Sequence, residues 1–184
     1  LKLPFGRLEL MSGIKERRVW SSGTLPSDLS TMAAERLIDE MNFERKDIGL
    51  LIHSSVCRDY LEPATASAVH SKLQLSESCQ AYDLSNACLG VLNSIITAGT
   101  MIENQVIDHA LVVSGENSGP LLEKTIDHIK TISNIDRRTI KKYFANLTIG
   151  SGAIAIMLSH NDKVTDGHKL KFAKVMADTS SYHL

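Results

Sequence analysis

The chain has 184 residues, 43% of them hydrophobic, with 20 Lys and Arg against 21 Asp and Glu and a formal net charge of −1. That length suffices for one sizeable core or for one large half of a bigger fold. Charges of both signs alternate without a basic stripe, no run approaches the ~18 apolar residues of a membrane span, and the three cysteines are odd in number and widely spaced. These features argue against nucleic-acid binding, against a membrane span and against a disulfide framework, and they fit a reducing, cytoplasmic setting. Leu1-Lys2-Leu3-Pro4 has no apolar signal-peptide core, and the chain opens without Met almost directly on a motif, as expected of a fragment or of a processed or incompletely recorded chain.

Leu8 to Trp20 joins an apolar stretch to the charged cluster Lys15-Glu16-Arg17-Arg18. Pro26-Ser27-Asp28 reads as a helix start with Ser27 as N-cap, and Met32, Ala33, Leu37, Ile38 and Met41 recur at helical spacing over 28–41. Ile48 to Val56 has the composition of a buried strand. A loop holding Arg58, Asp59, Glu62 and Pro63 leads to a helix over 65–73. Ala81 to Leu84 is a short strand, and Leu89 to Glu103 is a helix apolar on nearly every side, the mark of a buried element. Ala110 to Gly115 is a further strand, 121–130 a helix, and 131–147 is polar and ambiguous. Ala153 to Leu158 forms a strand behind the turn Gly150-Ser151-Gly152, and Leu170 to Ala177 is read as its hairpin partner across 162–168. The alternation of helix and strand predicts an α/β fold whose mixed, mostly parallel sheet is flanked by helices.

Cys88 is the candidate nucleophile. It lies in Asp83-Leu84-Ser85-Asn86-Ala87-Cys88-Leu89-Gly90, where a strand runs into the apolar helix. A thiol in the first turn of a helix meets the positive end of the macrodipole and unpaired N–H groups, both of which favour thiolate. At the inner end of a buried helix such a thiol would face a pocket suited to covalent capture of an acyl group. Cys57 and Cys79 lack that setting and read as structural. His53 and His70 read as locally satisfied histidines, and Gly150 and Gly152 as glycines serving backbone geometry.

Four segments resemble one family. Ser12-Gly13-Ile14-Lys15-Glu16-Arg17-Arg18 resembles a T-G-I-x-E-R motif, and Glu62-Pro63-Ala64-Thr65-Ala66 resembles the loop and helix ahead of that family's nucleophile. Asp83 to Gly90 resembles the nucleophile segment itself, and Phe144 to Ala155 a late glycine turn that reads G-D-G-A-G-A in many relatives but has Ser151 and Ile154 here. In order and spacing the chain is similar, over nearly its whole length, to the N-terminal half of a thiolase-fold condensing enzyme of the β-ketoacyl-ACP synthase III type. The resemblance implies two similar halves in a five-layered α/β fold, a homodimer, and ping-pong Claisen condensation through an acyl-Cys88 intermediate, with a catalytic His and Asn in a C-terminal half. It implies acyl-CoA or acyl-carrier protein as substrates and no cofactor.

Two departures resemble the head-to-head branch, which joins two acyl-CoAs on the way to olefins. Glu62 stands where fatty-acid-initiating synthases commonly carry an aromatic residue. In the head-to-head branch a glutamate there enters the partner subunit's site and helps form the carbanion. Arg7 and Met11 stand where the initiating synthases place the Trp and Arg that grip the CoA adenine. Glu62 is thus either this base or a solvated loop acid. Asn86 and Ser85 either cap the nucleophile helix or, for Asn86, touch substrate; Arg17 and Arg18 either meet phosphate and carrier-protein acids or form a solvated cluster. A synthase III initiating fatty-acid synthesis from malonyl-ACP is the alternative enzyme, and a half-fold that dimerises or docks on a carrier protein is the alternative without catalysis.

Overall fold

Leu50–His53 (β1) is buried at all four positions, the pattern of a strand covered on both faces. It lies parallel to Gln80–Asp83 (β2) on one side, with Leu50 opposite Gln80, and parallel to His109–Glu116 (β3) on the other, with Leu50 opposite Ala110. Gly152–Ser159 (β4) closes the far side of β3 antiparallel, giving the order β2-β1-β3-β4. The computed structural model describes residues 5–133 and 135–182; Leu1–Pro4, Asn134, His183 and Leu184 lie outside it.

Side chains alternate across β1 and β3 and feed two separate cores. Leu51, Leu111 and Val113 point to one face, where they meet Ala34 and Ile38 of a helix over Pro26–Met41 (α2, following a short α1 at Arg7–Ser12) and Val69 and Leu73 of Thr65–Leu73 (α3). Leu50, Ile52, Ala110 and Val112 point to the other, against Ala98 and Ile102 of Gly90–Glu103 (α4). The remaining helices are Gly119–Thr131 (α5), Arg137–Lys142 (α6) and Phe144–Thr148 (α7).

The mixed sheet is as expected, but its antiparallel pair is β3 with β4. Leu170 to Ala177 joins no ladder and is exposed. Leu170 instead lies against α4, its Cδ2 at 3.2 Å from where a Cβ on Gly99 would stand. The start of α2 also differs. Leu25, not Ser27, is the N-cap; its N–H donates to the Asp28 carboxylate at 3.1 Å, while the Ser27 N–H goes to Asp59 Oδ1 at 2.9 Å. The ambiguous stretch after 131 contains α6, capped by Asp136, whose carboxylate accepts the Thr139 N–H at 2.7 Å.

α4 departs most from its expected burial. Only the stripe Gly90, Ser94, Ala98 and Ile102 is buried, because three small residues let the helix settle close on the sheet. Val91, Ile95, Ile96 and Met101 are half-buried, and Leu92, with Leu89 just ahead of the helix, is exposed, so part of its apolar surface is open among the described residues.

Close approach recurs where α2 crosses β3. A Cβ on Gly115 would stand 2.4 Å from the Pro26 carbonyl oxygen and 2.9 Å from the Leu29 Cβ, with backbone on one side and core on the other. Gly115→Ala is therefore expected to destabilise by about 1–3 kcal/mol through overpacking. Gly150→Ala, which meets nothing within 4 Å, should stay within about 0.5 kcal/mol. Urea unfolding of the two variants of the full-length protein checks the contrast.

Candidate active site

β2 hands the chain to a tight turn and then to α4. The turn is gripped by the residues that end β1. The Leu84 N–H donates to the His53 carbonyl at 3.0 Å, and the Ser54 hydroxyl donates to the Leu84 carbonyl at 2.7 Å. Ala87 then takes φ 44, a left-handed conformation uncommon for a residue with a Cβ. The Leu89 N–H reaches the Asn86 carbonyl at 2.9 Å and the Gly90 N–H the Ala87 carbonyl at 3.1 Å, which closes the turn. Gly90 is required for the docking of α4, since a Cβ there would stand 2.4 Å from Ser54 Oγ.

Cys88 sits in this turn, two residues ahead of α4 rather than inside its first turn, with Leu89 as N-cap. It is exposed, whereas Cys57 is half-buried and Cys79 buried. Burial pushes the Cys79 thiol up to about 11, and burial followed by a contact with Glu116 pushes Cys57 up. The structural reading of those two residues fits this. The expected enclosed pocket over Cys88 is not formed by this chain, because the neighbouring apolar surface of α4 at Leu89 and Leu92 is itself open. Asn86 does not cap α4 with its side chain. Its Nδ2 donates to Asn93 Oδ1 at 2.6 Å and straps the turn to the helix.

Behind the turn lies a polar cluster that the sequence reading missed. Asp83, the last residue of β2, accepts the Thr65 N–H at 2.9 Å and the Ala66 N–H at 2.8 Å, and so caps α3 from a distant strand. His53 is 1% exposed. Its Nδ1 lies 3.6 Å from Asp83 Oδ1 and its Nε2 3.2 Å from Ser55 Oγ. Ser55 Oγ accepts the Gly115 N–H at 2.8 Å and lies 3.1 Å from Ser114 Oγ. Burial holds the imidazole below its ordinary range despite the nearby Asp83. His70 is satisfied locally as expected, by the Ser76 carbonyl, but His53 reaches across strands. A buried histidine flanked by serines at a strand end was the available signal.

Glu62 lies on the exposed loop between β1 and α3. Both ends of that loop are pinned. The Glu116 carboxylate accepts the Val56 N–H at 2.6 Å and the Cys57 N–H at 3.1 Å, and the Asp59 N–H donates to Thr65 Oγ1 at 3.2 Å. The span between exposes Val56, Tyr60 and Leu61. The bases of the Glu62 loop and the Cys88 turn therefore meet at the same residues, Asp83, His53 and Ser54.

Arg17 and Arg18 belong to a different surface. The Arg18 carbonyl accepts the Ser151 N–H at 3.2 Å, and Ser151 Oγ accepts the Ser118 N–H at 2.9 Å, which docks this stretch on the glycine turn. The Arg18 side chain is exposed, and Arg17 is half-buried with its Nη1 unpaired among the described residues. Nearby in sequence, Arg7 and Met11 line a cavity of about 260 Å³ with Arg138, Ile140, Lys141 and Phe144. No group of acids, cysteines and histidines among the described residues could hold a metal ion, and no described helix is long and apolar enough to cross a membrane.

No family model matches the chain. It is 38% identical over 161 residues to the acyl-CoA:acyl-CoA alkyltransferase of Xanthomonas campestris pv. campestris, covering 88% of this chain and 47% of that protein. To the enzyme of the same name from Shewanella oneidensis it is 37% identical, over 86% of this chain and 45% of the relative. A β-ketoacyl-[acyl-carrier-protein] synthase III of Neisseria meningitidis is 28% identical, over 89% and 49%. Among solved structures, cerulenin-bound Xanthomonas campestris OleA superposes with a TM-score of 0.83 at 38% identity, over 86% of this chain and 48% of OleA. The chain spans about half the length of the curated relatives it matches. It has the thiolase-like fold of the solved OleA structures over about half of their length, and it is more similar to the acyl-CoA:acyl-CoA alkyltransferases than to that synthase III.

Proposed function

We propose that this chain is the nucleophile-bearing half of an acyltransferase that condenses two acyl-CoAs head to head. The observation that carries the reading is the setting of Cys88: the exposed thiol of the three, in a left-handed turn between β2 and α4, on a base shared with the Glu62 loop. A Xanthomonas campestris OleA with a cysteine replaced by serine, solved with lauric acid and lauroyl-CoA, supports the same class.

In the first step the Cys88 thiolate attacks the thioester carbonyl of one acyl-CoA. The new C–S bond forms, the bond to CoA sulfur breaks, and CoA leaves as the thiol after taking a proton. In the second step a base removes a proton from the α-carbon of the other acyl-CoA. The carbanion attacks the acyl-Cys88 carbonyl, a C–C bond forms and the Cys88 thiolate departs, leaving a β-ketoacyl-CoA. Glu62 is the proposed base, delivered to the site of a partner subunit in a homodimer. The exposed Val56, Tyr60 and Leu61 beside it, and the outer edge of β2, support such an interface. The catalytic His and Asn implied by the resemblance belong to a second half that also covers the open face of α4.

Arg7 and Met11 replace the Trp and Arg of the usual adenine grip, so CoA would be held differently in the cavity they line, with Phe144 offering a ring for stacking and Arg7, Arg138 and Lys141 supplying positive charge for phosphates. The asymmetry of the thiols supports one reactive cysteine, and three free thiols fit a reducing, cytoplasmic setting. The synthase III reading draws on the weaker match alone.

Limited treatment of the full-length protein with iodoacetamide should label Cys88 first and Cys79 last, read by peptide mass; Cys79 reacting ahead of Cys88 would contradict the assignment. Glu62→Gln should leave Cys88 acylation within ~3-fold yet lower β-ketoacyl product formation by ~10²-fold, as expected for loss of a general base. Equal loss of both steps would remove Glu62 from that role. Arg138→Glu with Lys141→Glu should raise KM for acyl-CoA by ~10-fold with kcat little changed. Malonyl-extended products alone, with no product from two acyl-CoAs, would assign the enzyme to fatty-acid initiation.

A further inference from the structure

The buried histidine behind the nucleophile turn has no part in the chemistry above, yet it ends β1, contacts Asp83 at the end of β2 and is linked through Ser55 to Ser114 and Gly115 of β3. Its two ring nitrogens have different partners. With Asp83 as an acceptor the proton would sit on Nδ1, which lies 3.6 Å from Oδ1, an electrostatic contact longer than a full hydrogen bond. Nε2 then accepts from the Ser55 hydroxyl at 3.2 Å, and Ser55 Oγ in turn accepts from Gly115 N–H and from the Ser114 hydroxyl. In that arrangement each link holds one proton, and burial favours the neutral ring. Acids on the strands and loop around it, Asp83, Asp59 and Glu116, favour a charged ring, while Arg58 and burial oppose it, and burial is the largest effect.

The same residue is joined by its backbone to the nucleophile turn, through the Leu84 N–H, and by Asp83 to the first turn of α3, where the Glu62 loop ends. Ser54, next in sequence, abuts Gly90 and holds the Leu84 carbonyl. We propose that His53 is a positioning residue: its imidazole, held between the Asp83 carboxylate and the Ser55 hydroxyl, keeps Asp83 on the first turn of α3 and so fixes the Cys88 turn and the Glu62 loop relative to each other. The kinetic consequence rests on Cys88 being the nucleophile; the structural consequence does not.

Three variants of the full-length protein separate this role from simple filling of the core. In His53→Asn the amide nitrogen takes the place of Nδ1 and keeps the Asp83 arm. In His53→Gln the amide reaches the place of Nε2 and keeps only the Ser55 arm. His53→Leu fills volume and keeps neither. Amide hydrogen exchange at Thr65 and Ala66 should quicken by ~10-fold in the Gln and Leu variants and stay within ~2-fold of wild type in the Asn variant. Cys88 acylation by a long-chain acyl-CoA should follow, with kcat down ~10-fold in Gln and Leu, KM within ~2-fold, and rescue by Asn. In the wild type, a ¹⁵N–¹H spectrum at pH about 7 should show His53 as the neutral Nδ1–H tautomer.

Uniform exchange at Thr65 and Ala66 across the three variants would overturn the proposal. So would a leucine variant acylating at the wild-type rate, or an imidazolium or Nε2–H form in the wild type. Should wild-type Cys88 take no acyl group, the condensing function fails, while the exchange and tautomer measurements still decide the role of His53.

Discussion

Three short strands end at one buried polar cluster, and the geometry of the candidate site depends on it. β1 is only four residues long and covered on both faces, so its last residues can reach each neighbour. At the β2 side they hold Leu84 by two backbone groups; at the β3 side Ser55 holds Gly115. Asp83 then takes the two N–H groups that open α3. An ionised carboxylate this little exposed needs such partners, because leaving it unpaired would cost several kcal/mol. Satisfying the carboxylate and orienting the two loops are thus the same set of contacts.

Small residues make the arrangement possible. Gly90 lets α4 start against Ser54, and Gly115 lets α2 cross β3, so both helices come closer to the sheet than side chains would allow. The buried stripe of α4 continues that pattern with Ser94 and Ala98. Leu92, with Leu89 next to Cys88, is left on the outside. A thiol at the rim of an open apolar surface becomes a thiol in an acyl-binding site once a further element covers that surface. The proposed second half supplies that cover.

Much of this was legible in the residues. β1 to β4 and α2 to α5 follow from hydrophobic period and from Gly and Pro punctuation, whereas the short α1, α6 and α7 do not, and the Cys88 turn follows from its flanking strand and helix. The burial of α4 was overestimated, since an all-apolar helix looks alike whether its partner lies in this chain or beyond it. Leu170 to Ala177 is apolar enough to read as a strand, but it joins no ladder although β4 is an edge of the described sheet, and Leu170 lies instead against Gly99 of α4, a contact that is not local. Ser27 looked like a cap, yet the contact of Asp59 with its N–H comes from another loop. The His53 cluster was missed for the same reason. Its partners lie at the ends of other strands, and only the register of the sheet brings them together.

The central claim is that Cys88 carries the acyl group between the two half-reactions. Its most direct measurement is peptide mass mapping of the full-length protein after brief mixing with a long-chain acyl-CoA. The account predicts one hydroxylamine-labile acyl group on the peptide containing Cys88, and none that hydroxylamine removes in Cys88→Ser. An acyl group on Cys57 or Cys79, or an unmodified Cys88 in an enzyme that still forms product, would contradict it.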